Sequence, residues 1–115
     1  MKIIDIAKVL NAEILVPGND MENEVFSVCG SDLMSDVMAY VKDNVVLLTG
    51  LVSPQVIRTA EMMDIKVVVF VRGKKPPATV TKLAQEKDII VMSTSETMFT
   101  ACGKLYSSGV TGRGD

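Results

Sequence analysis

Four short stretches combine glycine, hydroxyl and cationic residues in a way that could hold an anion: Gly30-Ser31-Asp32, Thr49-Gly50 with Ser53, Arg72-Gly73-Lys74-Lys75, and Ser93-Thr94-Ser95 with Thr97. Hydroxyl and backbone N–H groups bind phosphate without proton transfer, and Arg72 adds a two-pronged guanidinium fork. The same residue types are what strand-to-helix turns require for capping and backbone geometry, so a purely structural role competes with binding at each position. None of the stretches holds an acid–base pair. Histidine is absent from the chain, which removes the commonest general base, the Ser-His and Cys-His nucleophile pairs and the commonest transition-metal ligand. Neither G-x-x-x-x-G-K-[ST] nor G-x-G-x-x-G occurs, which argues against a nucleoside triphosphatase or a dinucleotide enzyme.

Ser31-Asp32 recurs as Ser35-Asp36, so Asp32 and Asp36 are expected on one helix face near its positive end. Two carboxylates there could hold a hard cation, but acidic residues in a first turn more often complement the helix dipole, and no metal site is assigned. Cys29 and Cys102 match no metal-ligand spacing and read as two reduced core thiols. Met34, Met38, Met62, Met63, Met92 and Met98 read as core filler, with a self-association face as the alternative.

These residues need a scaffold, and 115 residues suffice for one domain with one core. With 48% hydrophobic and 23% charged residues the chain has a globular composition. A net charge of −2, two tyrosines and three phenylalanines leave little to attract or stack on nucleic acid. The apolar runs, such as those at 67–71 and 89–92, fall far short of the roughly 20 residues that cross a bilayer. Asp5 and Lys8 interrupt the apolar residues near Met1, so no signal-peptide core is read and a cytoplasmic location is expected.

Ile3, Ile4, Ile6, Ala7, Val9 and Leu10 recur at helical spacing, giving a first helix that stops before the turn Val16-Pro17-Gly18-Asn19. A strand at 24–29 then feeds a helix carrying Leu33, Met34, Val37, Met38 and Val41. The unit repeats three times: strand 45–49 with helix 54–63, strand 66–71 with helix 78–86, strand 89–92 with helix 96–106. Runs that are apolar on both sides belong in a parallel sheet covered on both faces. The expected fold is a three-layer α/β domain over 1–109, with a mostly parallel sheet of four to five strands and about five helices. Ser53 before Pro54 should cap one helix, and Ser93 with Glu96, or Ser95, the last. Residues from Ser107 onward should fray, with 110–115 as a flexible tail; Arg113-Gly114-Asp115 reads as a coincidental adhesion tripeptide.

Taken in order, residues 30–38, Leu48-Thr49-Gly50, Val71 to Pro76, and Ser93 to Phe99 resemble the DRTGG domain in its small stand-alone form, over about residues 1–109. The resemblance implies a fold similar to the N-terminal domain of HPr kinase/phosphorylase. It also implies the role of DRTGG domains in some phosphotransacetylases and pyrophosphatases, where they are regulatory and make subunit contacts and, in the pyrophosphatases, lie close to adenine-nucleotide sites. The kinase activity does not carry over, since the phosphate loop is missing. The Asp-Arg pair in the family's name is also missing, with Leu51-Val52 following Thr49-Gly50.

Three functional classes follow. The first is a non-catalytic regulatory module, without cofactor, that self-associates and binds a small phosphorylated metabolite or adenine nucleotide at the C-terminal strand ends. The second is an interaction or assembly domain acting through a partner protein. The third is an enzyme with a serine or aspartate site that spacing does not reveal, for which Asp32 and Asp36 are the carboxylates to replace.

Overall fold

The computed structural model describes residues 1–40 and 45–110. The elements run α1 (Ile3–Val9), β1 (Glu13–Val16), β2 (Ser27–Gly30), α2 (Met34–Tyr40), β3 (Val45–Thr49), α3 (Pro54–Met62), β4 (Val67–Phe70), α4 (Ala78–Glu86), β5 (Ile90–Ser93) and α5 (Met98–Ser107). The sheet order is β1-β5-β4-β3-β2, with β2 to β5 parallel and β1 antiparallel along β5.

The strands are apolar throughout because both of their faces are covered. Val46, Leu48, Val67, Val69 and Met92 pack under α1 and α5, through Ile6, Leu10, Ala101 and Leu105. Leu47, Val68, Phe70 and Val91 face the other way, onto α2, α3 and α4 through Val37, Val56, Ile57, Val80 and Ala84. Phe70 is fully buried, which is worth about 1.5–3 kcal/mol of transfer free energy. The three-layer, mostly parallel α/β architecture expected from the sequence is the one observed.

Several local expectations change. Glu13–Val16, expected to hold the stretch where the first helix gives way to the turn at Val16, is a strand that pairs with β5 and bulges between Ile14 and Val16. Four residues lodged between a helix and a Pro-Gly turn carry too little alternation to separate from the helical period before them. The segment 24–29 joins the sheet only at Ser27, with Glu24 bridged singly to Lys2 and Phe26 exposed. The last helix starts at Met98 and is capped by Thr97, whose Oγ1 accepts from Thr100 N, not by Ser93 or Ser95. Ser53 does cap α3, accepting from Gln55 N, with Pro54 next. Val110, read as tail, is buried in the core. Val41 of the α2 pattern, the remainder of the tail and Arg113-Gly114-Asp115 lie outside the described residues.

Met34, Met92 and Met98 fill the core or pack against it, whereas Met38 and Met62 are exposed. Both cysteines are free and half-buried.

Left-handed backbone follows a pattern. Asn11, Asp64, Asp88 and Gly109 have positive φ and each sits just past a helix end, where such a residue closes the last turn. Arg72, at φ 63°, is the exception: no helix precedes it, and Gly73 follows at φ 69°. A bulky residue held there costs energy that its surroundings must offset.

Candidate functional site

Parallel pairing brings the exits of β2, β3, β4 and β5 to one rim: Gly30 lies beside Leu48, Thr49 beside Phe70, and Phe70 beside Ser93. At this rim most hydroxyls are committed inward. Thr49, Ser93 and Thr94 are buried. Thr94 Oγ1 donates to Leu10 O at 2.7 Å and accepts from Glu96 N. Ser93 Oγ donates to Lys74 O at 2.8 Å. Thr49 Oγ1 donates to Asp32 and accepts from Leu51 N. Ser31 closes a local turn with Leu33, while Ser53 and Thr97 serve as helix caps. Ser95 is exposed.

Asp32 departs furthest from expectation. It precedes α2 instead of sharing a helix face with Asp36, because its carboxylate is drawn across to β3. Oδ1 accepts from Gly50 N at 2.6 Å and from Thr49 Oγ1 at 3.3 Å, and Oδ2 meets Arg72 at 3.4 Å. Among the described residues no group of three or more Asp, Glu or Cys is placed to hold a metal ion.

The cationic groups remain. Arg72 N donates to Glu96 O at 2.7 Å and Gly73 N to Thr94 O at 2.8 Å, and these two bonds pin the left-handed turn. The turn lays the Arg72 guanidinium over Gly50, where a Cβ would collide with it. Lys74 Nζ donates to Gly50 O at 2.9 Å, while Lys75 turns away to Glu13 of β1 at 2.6 Å. Arg72 is about half exposed and its pairing with Asp32 is long, so most of its N–H donors have no partner among the described residues. Glu96 was not foreseen as a site residue: its backbone oxygen, not its carboxylate, does the holding, and residue type does not encode that. Asp32, Thr49, Gly50, Arg72 and Lys74 thus form one connected cluster, while Ser31, Ser53 and Thr97 are spent on local turns.

Among the described residues no helix is long and apolar enough to cross a membrane. No curated protein matches the chain. The fold is similar to that of the CBS and DRTGG domains of the regulatory region of Clostridium perfringens pyrophosphatase, solved in complex with its activator, diadenosine tetraphosphate. The TM-score is 0.76 and the identity 18%, over 93% of this chain and 46% of that one. This chain therefore spans less than half the length of that neighbour. The DRTGG domain model matches residues 5–108, nearly the whole of the described fold. The chain therefore belongs to the DRTGG domain family.

Proposed function

We propose that this domain is a non-catalytic regulatory module, acting in the cytoplasm, that binds a small phosphorylated ligand at the C-terminal rim of its sheet. An adenine nucleotide is the first candidate. The observation that carries this reading is the Arg72 guanidinium, held over the bare backbone of Gly50 by a left-handed turn. A strained arginine whose N–H donors are mostly without a partner among the described residues has the chemistry of an anion site. The activator of the pyrophosphatase region favours a nucleotide among anions. Asp32 is a built-in competitor, neutralising part of the charge an anion would meet.

The module is also proposed to self-associate, directly or as part of an assembly with a partner protein. β2 is an edge strand with no strand partner on its outer side among the described residues. Phe26 and Leu33 lie just before and after it, and Phe99 and Tyr106 on α5, which packs on β2, are among the most exposed large apolar side chains. Such a combination of open edge and apolar flank is what a second chain covers.

Thermal unfolding in inorganic phosphate, AMP, ADP and diadenosine tetraphosphate tests the first proposal. A ligand at a hundred times its Kd stabilises by about 2.7 kcal/mol, so a saturable rise in Tm is expected. Arg72→Ala should abolish the rise, and Asp32→Asn should strengthen it. No rise with any of these anions, or the same rise in Arg72→Ala, would overturn the site. Light scattering should find a dimer or larger; a strict monomer at high concentration contradicts self-association.

A further inference from the structure

The opposite rim of the sheet, where β4 and β5 begin and β1 ends, carries a cleft of about 380 Å³. Its floor is apolar and buried: Ile3 from α1, Val16 from β1 and Ile90 from β5. Its walls are polar. Asn19 and Asp20 come from the turn after β1, Asn23 from the loop that runs past α1, and Gln85 and Asp88 from the end of α4. The loop is fixed by main-chain bonds, Ile3 N to Asn23 O and Asn23 N to Asp20 O, both at 3.0 Å. Gly18 lets the turn rest on the floor, since a Cβ there would meet the Ile90 side chain at 2.7 Å. Asp88 has the left-handed conformation that closes α4.

None of these three amides and two carboxylates makes a side-chain hydrogen bond or ion pair with another described residue. Lys66, the cation on the wall, is paired with Asp64 at 2.9 Å. The wall therefore presents free acceptors, amides able to donate and accept, and a net negative charge.

We infer that this cleft is a second binding site, for an uncharged ligand of nucleoside size that carries both hydroxyl and amine groups. Each part of the wall has a matching chemistry. Carboxylates accept from the hydroxyls of a sugar, as acidic residues do for ribose. Amide side chains take the paired donor and acceptor of an aminopurine edge. The apolar floor covers one face of a ring, and the volume is that of a small-molecule pocket. Asp20 and Asp88 repel phosphate, so the selectivity is the reverse of that proposed for the C-terminal rim.

Adenosine and AMP serve as probes, with the full chain titrated by calorimetry and by amide chemical shifts. Adenosine should bind and move the amides of Asn23, Lys66 and Ile90, and AMP should bind this cleft at least about fivefold more weakly. The double variant Asp20→Asn/Asp88→Asn keeps exposed polar residues of the same shape, and asparagine tolerates the left-handed conformation. It should weaken adenosine about tenfold and erase the discrimination against AMP. Arg72→Ala should leave adenosine binding unchanged, which separates this site from the phosphate site. No adenosine binding at millimolar concentration, shifts confined to Gly50 and Gly73, or tighter binding of AMP in the cleft would each overturn the inference.

Discussion

The two rims of the sheet both carry polar residues and use them in opposite ways. At the C-terminal rim Thr49, Ser93, Thr94 and Asp32 are knitted to each other and to the backbone, leaving a held guanidinium as the group that faces outward. At the N-terminal rim Asn19, Asp20, Asn23, Gln85 and Asp88 surround a cleft, and their side chains bond to no other described residue. The first rim binds itself together, and what remains over is positive; the second leaves its polar groups free and is negative. Polar residues at strand ends therefore say little about binding until their partners are known. A buried hydroxyl needs a partner, and the nearest main-chain group usually supplies it.

The largest effect that separates the rims is on stability. Thr94→Val removes a buried hydroxyl and strands both Leu10 O and Glu96 N, so urea unfolding should lose about 1–3 kcal/mol. A loss within error would mean that the hydroxyls of that rim are not structural. Next, Arg72→Gly should hold or raise stability by about 1 kcal/mol, because glycine adopts φ 63° without strain, while phosphate binding disappears. Loss of stability in that variant would remove the case for a strained, functional arginine.

A smaller effect comes from the thiols, which belong to neither rim. Burial, with Cys102 and Asp36 adding to it, pushes the Cys29 thiol up, and burial pushes Cys102 up. A raised folded value keeps the proton on the folded chain longer than on the unfolded one. Stability is then full below the ordinary thiol pKa of 9.0 and declines as pH rises from there toward the raised values. Cys29→Ser/Cys102→Ser should flatten that alkaline decline in a pH series of unfolding curves; an unchanged slope would contradict it. Smallest of all, Asn23→Ala and Asp88→Asn should change stability by no more than about 0.5 kcal/mol, because their side chains are exposed and support nothing. Larger losses would show that the cleft residues are structural after all.

Much of the fold was legible because the parallel strands announce themselves as continuous β-branched runs, and helix α4 was delimited correctly at both ends. β1 was not, since Glu13–Val16 pairs with a strand more than seventy residues away and its own pattern is too short to signal it. Within the site, residue type located the rim but not the direction of each side chain. Ser31 and Ser53 look as available as Arg72 until their hydrogen bonds to Leu33 and Gln55 are seen. Asp32 was placed on a helix because its repeat with Asp36 mimics one turn, whereas the pull of Gly50 N and Arg72 decides where it goes. The cleft residues were passed over because they read as a turn and as the end of a helix, with no spacing to link residues 19 and 88.

The division between the rims is tested most directly by mapping amide chemical shifts of the same sample with ADP and then with adenosine. ADP should move Gly50, Leu51 and Gly73 at the C-terminal rim, and adenosine should move Asn23, Lys66 and Ile90 at the other. If both compounds perturb one common set of amides, or neither perturbs any, the two rims are not chemically distinct sites and the account is wrong.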